Sequence, residues 1–192
     1  HGEEFQEHGH LSHYPKLYRE LIHVPLIVSH PDQHGRAVSD AVGLDVIPPT
    51  VCDLLGVEKP SSWNGKSVAS AVDGSARPTG DPVVSVTVRG SSVTSQPIPR
   101  RLDDGELLAS ARTDRWTYIK HTESGDRELY DRSTDPGETN DLLCSEADVD
   151  ASLLAELENA IDDHVAGLGG ESEPDAPPPE AVSDRLESLG YI

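Results

Sequence analysis

Apolar residues occur along the chain in short runs, and the character of the sequence changes near residue 60. In the first part, the run His23-Val-Pro-Leu-Ile-Val28 is continuous rather than alternating. A strand covered on both faces shows this pattern, so the run predicts a buried strand of a parallel sheet. A short helix is expected just before it, within residues 16–22.

A second helix is expected over residues 44–55, where the apolar positions have amphipathic spacing. Asp45 is a candidate N-cap for this helix. Pro48 and Pro49 are compatible with a helix only near its first turn, and Gly56 is placed to cap the C-terminus. The first third of the chain therefore alternates loop, helix, strand, loop and helix.

The part after residue 82 has a different pattern, because short apolar runs are separated by turn-forming residues. The runs are 83–88, 106–112, 116–120 and 128–130. The connections 113–115 and 123–126 are short enough to be hairpin turns, which predicts a small antiparallel sheet. Helical spacing over residues 153–165 predicts a helix after the sheet.

The composition divides the chain into three predicted units. A stretch rich in Ser, Gly and Pro separates residues 1–75 from residues 76–168. A second Gly- and Pro-rich stretch begins at residue 169 and predicts a linker. The last apolar residues of the tail then predict a docking turn within 169–192.

The charge is strongly acidic, with 35 Asp and Glu against 15 Lys and Arg and a formal net charge of −20. Disorder is one explanation, but the periodic apolar runs argue for a folded chain. We therefore predict a surface adapted to high salt, which screens the repulsion between acidic groups.

The same charge argues against a nucleic acid partner, which requires a basic surface. No apolar run approaches the length that spans a bilayer, roughly 20 residues. The chain opens with His1 and contains no Met, so the natural start is expected elsewhere and the compartment stays undetermined.

Histidines are concentrated at the start of the chain, with seven of nine in the first 34 residues. Solvated loop histidines are one explanation. A zinc site formed by pairs among His8, His10 and His13 is a second, although no carboxylate or cysteine pattern accompanies them. Cys52 and Cys144 have no metal-type spacing, and Cys52 is expected to be a buried free thiol.

A third explanation comes from a resemblance along nearly the whole chain. HGEEFQEHGHLSH (1–13) followed by LYRELIHVPLIV (17–28) resembles the sulfatase family of the alkaline phosphatase superfamily. The stretches 45–56, 112–120, 128–142 and 185–192 are similar to later family motifs, in the expected order. The resemblance implies an α/β fold, with the C-terminal part of an alkaline-phosphatase-like sheet domain followed by a small antiparallel sheet and a C-terminal helix.

The resemblance also implies roles for two histidines. His1 corresponds to a metal ligand of the family, usually for calcium, and the Asp that precedes it in the family is missing here. His13 corresponds to a Lys or His that contacts the sulfate and assists the leaving group, so it is the candidate catalytic and substrate-binding residue. A protonated imidazole suits this role, because it offsets developing charge and can donate a proton.

The nucleophile of the family is formylglycine, made from Cys or Ser in a Cys/Ser-x-Pro-x-Arg motif. This motif is absent here, and Ser95-Gln-Pro-Ile-Pro-Arg100 is one residue out of register. We therefore expect formylglycine in a missing N-terminal part and no activity from this chain alone.

The sequence thus predicts the C-terminal part of a sulfatase that acts on a small-molecule or carbohydrate sulfate ester. A phosphodiesterase or phosphonate hydrolase of the same superfamily is one alternative. A non-catalytic remnant with a binding role is another. The identity of the substrate stays open.

Overall fold

The protein is described by a computed structural model that covers residues 2–9, 11–13, 15–31, 35–88, 107–122, 124–145 and 148–168. The strands in these ranges are β1 (Glu4–Phe5), β2 (Leu11–Ser12), β3 (Val83–Val88), β4 (Leu107–Arg112), β5 (Trp116–His121) and β6 (Arg127–Asp131). The helices are α1 (Arg19–Ile22), α2 (Ile47–Leu55), α3 (Ala69–Asp73) and α4 (Ala151–Leu168), with a 3₁₀ turn at Leu44–Val46 before α2.

Strands β3 to β6 form one antiparallel sheet in sequence order. Val83 pairs with Arg112 across β3 and β4, and Trp116 pairs with Asp131 across β5 and β6. Tight turns join β4 to β5 and β5 to β6, because each pair of neighbouring strands is separated by only a few polar residues. The predicted antiparallel sheet is confirmed.

One face of this sheet packs against α4. Leu157 and Ile161 of the helix lie in the same cluster as Tyr118 and Leu129 of the sheet, and all four are fully buried. Helix α4 is longer at both ends than the predicted 153–165. Its apolar residues recur at helical spacing, so one stripe of the helix covers alternate residues of each strand.

The opposite face of the sheet is covered by the segment that contains α1. Leu17 is buried in a second cluster with Leu108, Ile119 and Tyr130, and Ile22 packs against this cluster. Neighbouring residues of one strand therefore enter two different cores, as the alternation of side chains in a strand requires. The sheet is thus the middle layer between α4 and residues 15–22.

Residues 23–30 form no strand, so the predicted parallel strand at 23–28 is wrong for this chain. A central parallel strand needs a partner on each side. Among the described residues no two strands pair in parallel, so these partners are not provided. The apolar side chains of the run are exposed instead, with Ile27 at 86%.

Helix α2 confirms most of the prediction for residues 44–55. Pro48 and Pro49 lie in its first turn, and Gly56 ends it in the left-handed conformation at φ 65°. The N-cap prediction is wrong, because Asp45 lies inside the 3₁₀ turn and Val46 precedes the helix. The 3₁₀ turn adds hydrogen-bonded residues before the first α-helical turn, which moves the helix start past Asp45.

The protein is a mixed α/β chain with a small antiparallel sheet and a C-terminal helix, as predicted. The boundaries at residues 75 and 168 stay predictions, although residues 15–22 contact the sheet across the first of them. The loop 91–101 and the tail 169–192 lie outside the described residues. Within the described ranges, every helix is too short or too polar to cross a bilayer.

Candidate functional site

The carboxylate of Glu138 joins the N-terminal segment to the sheet. It accepts the backbone N–H of Arg19 at 2.8 Å and the hydroxyl of Thr117 at 2.7 Å. One guanidinium nitrogen of Arg112 lies 3.0 and 3.2 Å from its two oxygens. The side chain is fully buried, so the charge on Arg112 and these donors compensate its desolvation.

Glu138 reaches this position through an unusual backbone conformation. Its φ is 55°, in the left-handed region that non-glycine residues rarely occupy. The turn before it is closed by the N–H of Glu138, which donates to the carbonyl oxygen of Asp135 at 3.1 Å. The Asp135-Pro-Gly-Glu138 turn therefore directs the carboxylate inward, toward Arg112.

His8 makes a second tie between the same two regions. Its Nε2 lies 2.8 Å from the carbonyl oxygen of Glu138, and its Nδ1 lies 2.6 Å from Glu20. The imidazole ring stacks on Tyr18, with 3.6 Å between ring centroids and 4° between planes. A carbonyl oxygen only accepts, so Nε2 is the donor in that bond. His8 thus fixes the loop between β1 and β2 against α1 and the sheet.

A buried ion pair fixes the start of the same loop. Glu4 is fully buried, and Lys16 donates to both of its oxygens, at 3.1 and 3.3 Å. Lys16 also donates to the carbonyl oxygen of His8 at 3.1 Å, and Glu4 accepts the backbone N–H of His8 at 2.9 Å. The β1–β2 hairpin is therefore held by charged groups more than by apolar contacts.

Glu4, His8 and Glu20 are close enough together to be tested as a metal site, with candidate ligand atoms within 4.8 Å of one another. Their contacts do not fit the calcium ion that the family resemblance implies. Both nitrogens of His8 face oxygen acceptors, and Lys16 lies against Glu4. Calcium requires six to eight oxygen ligands. In the described ranges this cluster is an ion-pair network.

A third network lies where Tyr18 meets the sheet. Glu128 accepts the hydroxyls of Tyr18 at 2.9 Å and Tyr130 at 2.6 Å. Burial alone would raise the pKa of Glu128, but hydrogen bonds from His121, Tyr130 and Tyr18 outweigh it and lower the pKa. Burial, together with the bond to Glu128, raises the pKa of Tyr130. Both residues thus keep their ordinary charge states.

His13, the predicted catalytic residue, lies one position beyond β2. Its side chain is 70% exposed, and its Nδ1 lies 3.1 Å from a carboxylate oxygen of Glu3. Glu3 and His13 thus face each other across the ends of the hairpin that Glu4 and His8 hold in place. His1 lies outside the described residues, so the predicted metal ligand stays a prediction.

Sequence reasoning missed the residues that fix this hairpin. Glu138, Arg112 and Glu20 lie within longer motifs, and no pattern in the sequence distinguishes Arg112 or Glu20 from their neighbours. One signal in the sequence could have identified Glu138. It follows Asp-Pro-Gly, which is a turn sequence. A Glu at this place belongs to no predicted helix or strand, so a specific contact of its side chain is the remaining explanation for it.

Comparison with known proteins identifies similar sulfatases. The chain is 28% identical over 170 residues to a Delta 4,5-hexuronate-2-O-sulfatase of Bacteroides thetaiotaomicron, covering 86% of this chain and 33% of that protein. It is 26% identical over 167 residues to arylsulfatase K of Bos taurus, covering 84% and 29%. The chain therefore spans about a third of the length of the curated relatives it matches.

Among solved structures, a 2-O GAG sulfatase is 25% identical and aligns with a TM-score of 0.48, covering 68% of this chain and 26% of that one. No family model matches the chain. The sequence similarities, at low identity over most of the chain, support a relationship to sulfatases.

Proposed function

We propose that this chain is the C-terminal part of a sulfatase that hydrolyses sulfate esters of carbohydrates. The observation that carries the proposal is the similarity to sulfatases, which covers 86% of the chain for one relative and 84% for another. The curated relative concerned is named for a hexuronate substrate, which favours a sulfated sugar over other esters. The alternatives within the superfamily are favoured less, because the curated relatives reported above are sulfatases.

The geometry of the N-terminal segment is consistent with a catalytic role. Buried ion pairs at Glu4 and Glu138 hold a hairpin whose end presents His13 to solvent. A catalytic group gains from a fixed position, since orientation lowers the barrier of the chemical step. We propose that His13 donates a proton to the departing alkoxide and so acts as the general acid.

The resemblance implies two cofactors, a divalent cation, of which calcium is the usual one, and formylglycine. The cluster of Glu4, His8 and Glu20 does not fit calcium, because its groups already pair with one another and with Lys16. No Cys or Ser has the Pro and Arg neighbours of a formylglycine site. We propose that His1 supplies one ligand of the cation, and that the other metal ligands and the formylglycine belong to residues outside this chain. The coding region before His1 is the first check, since an in-frame Asp and a Cys/Ser-x-Pro-x-Arg motif are expected there.

The role of His13 is tested in the longer protein by kinetics with two kinds of leaving group. We expect His13→Ala to lower kcat for a sulfated sugar by about 10²-fold, the usual scale of general acid catalysis. For a nitrophenyl sulfate the loss should be much smaller, because nitrophenolate leaves without a proton.

The matched control is His164→Ala, which removes an exposed imidazole from α4. Its kinetics should equal those of the unchanged protein. Equal losses of kcat for both substrates in His13→Ala would contradict the general-acid role. Hydrolysis of either substrate by residues 1–192 alone would contradict the proposal that the catalytic groups lie partly outside this chain.

A further inference from the structure

Glu3 and His13 lie on the outer face of the β1–β2 hairpin. The strands pair in a register that places Glu3 opposite His13, one position beyond the paired residues. Side chains alternate between the two faces of a strand, and the neighbouring Glu4 is fully buried. Glu3 therefore points to the same side as Phe5, which is 74% exposed. The contact between Glu3 and His13 is thus formed on the open side of the hairpin, away from the buried side chain of Glu4.

The backbone of Glu3 is held on both sides. Gly2 has a φ of 72°, and a Cβ added to it would lie 2.9 Å from the carbonyl oxygen of Leu21 in α1. This close approach fixes the chain just before Glu3. On the other side, the carboxylate of Glu4 accepts a bond from Lys16 at 3.1 Å. The carboxylate of Glu3 therefore extends from a backbone that has little freedom to move.

The two partners differ in how far they are covered. The side chain of Glu3 is 27% exposed, whereas that of His13 is 70% exposed. An exposed side chain can adopt several rotamers, and a bond to a better-held partner selects one of them. Glu3 therefore orients His13, and the reverse effect is the weaker one.

The bond also determines which ring nitrogen of His13 carries a proton. An ionised carboxylate only accepts hydrogen bonds, so Nδ1 of His13 is the donor in the 3.1 Å contact with Glu3. The two ring nitrogens point in different directions, and Nε2 consequently faces away from Glu3. In the protonated ring, Nε2–H is then the donor that a leaving group can reach.

We propose that Glu3 is a positioning residue for His13, which holds the imidazole by Nδ1–H and directs Nε2 toward the departing alkoxide. This inference rests on the proposed role of His13 as the general acid. The electron pair of the breaking S–O bond stays on the leaving oxygen, and this oxygen takes the proton from Nε2. The ring becomes neutral and keeps its other proton on Nδ1, in the bond to Glu3. Before the transfer, the carboxylate stabilises the positive ring.

The tautomer of His13 is measured in residues 1–192, and this measurement does not depend on sulfatase activity. The ¹⁵N resonances of a neutral imidazole distinguish Nδ1–H from Nε2–H. We expect the proton mainly on Nδ1 in the unchanged chain. In Glu3→Ala it should move toward Nε2, the position that imidazoles favour in water. Glu3→Gln should move it less, because the amide oxygen is a weaker acceptor but still accepts a bond.

The matched control is Glu7→Gln, which makes the same charge change in the same hairpin. Glu7 accepts the backbone N–H of Phe5, and a Gln oxygen can keep this bond. The His13 tautomer should not change in this variant. The ring resonances of His8, which contacts Glu138 and α1, report whether the hairpin stays in place.

An Nδ1–H tautomer that persists in Glu3→Ala with the hairpin in place would overturn the proposal. If Glu3→Ala loosens the hairpin, the same criterion applies to Glu3→Gln, which is equal in size to the natural side chain. Equal shifts in Glu3→Gln and Glu7→Gln would also overturn it, since the effect would then be one of net charge.

Kinetics of the longer protein with a sulfated sugar test the link to catalysis. We expect Glu3→Ala to lower kcat by about tenfold, less than His13→Ala does, because the imidazole is still present. The double variant should be no slower than His13→Ala alone, since Glu3 acts through His13. A further loss of about tenfold in the double variant would overturn the positioning role and leave the role of His13 intact. If His13→Ala does not lower kcat, the proposed function fails and this inference fails with it, even where the tautomer depends on Glu3.

Discussion

Similar apolar residues differ in burial between two regions of the molecule. One region is the sheet with its two covering layers, and the other is the segment 23–66. Leu157 on α4 is fully buried between helix and sheet, whereas Leu55 on α2 is 71% exposed. The sheet has neighbours on both faces, α4 on one and residues 15–22 on the other. Helix α2 contacts mainly the 3₁₀ turn and α3. The stabilising layer of this chain is therefore the sheet.

The comparison shows that apolar content does not decide which region is a core. Val24, Leu26 and Ile27 are as apolar as the strands of the sheet, yet they face a groove. Large exposed apolar areas are unusual on monomeric proteins and mark interaction surfaces. Stability should accordingly be unequally distributed between the two regions.

Among the variants considered, Glu138→Gln is expected to lower the unfolding free energy of the sheet region most. The substitution leaves the Arg112 charge buried without its counter-charge, which costs about 3–5 kcal/mol of unfolding free energy. Urea denaturation measures the loss, and Glu156→Gln on the exposed face of α4 is the control. Hydrogen exchange should also show less protection at residues 15–22 than at β5. An unfolding free energy equal to that of the control would show that the Glu138–Arg112 pair does not stabilise the fold.

A matched pair of truncations compares the two regions directly. Leu157→Ala leaves a cavity between α4 and the sheet and should cost about 2–5 kcal/mol of unfolding free energy. Leu55→Ala removes the same atoms from an exposed position and should cost less than about 1 kcal/mol. Thermal or urea unfolding measures both variants. Equal losses would mean that α2 is packed as firmly as α4, contrary to the burial of the two residues.

Salt should stabilise the whole chain by a moderate amount. Acidic groups repel one another at a net charge of −20, and ions screen this repulsion over about 10 Å at 0.1 M. We expect the melting temperature to rise between dilute buffer and molar sodium chloride. A melting temperature that is the same in both would contradict the prediction of a salt-adapted surface.

The smallest effect concerns Asp131 at the end of β6. Its carboxylate accepts two bonds from Arg115, at 2.7 and 3.1 Å, and these bonds lower its pKa more than any other contact does. Because the folded pKa is below the unfolded one, the stabilisation is complete above about pH 4 and is lost as the pH falls further.

The pair with Arg115 is partly solvent-exposed, so Asp131→Asn should cost less than about 1 kcal/mol at pH 7. The melting temperatures of Asp131→Asn and the unchanged protein should converge as the pH falls below about 4. A difference that stays constant down to pH 2 would show that the charge on Asp131 is not the cause.

The sequence by itself determined the elements whose signals are local. Strands β3 to β6, the turn between β4 and β5, α4 and the cap at Gly56 all follow from apolar spacing and turn residues within a few positions. Such signals depend on residues that are close in sequence, so they can be interpreted without knowing the tertiary structure. The sequence also indicated His13 through its motif. Among the groups that hold its hairpin, Glu138 had a local signal, the turn sequence before it.

Tertiary structure alone decided which apolar runs became core and which charged residues met. The run 23–28 has the pattern of a buried strand, but burial needs partner strands, which are long-range contacts. Glu138 and Arg112 are 26 positions apart, and His8 and Glu138 are 130 positions apart. No periodicity in the sequence joins such residues. The layers that cover the sheet bury these charged groups. A buried charge without a partner is costly, so the pairing follows from the burial.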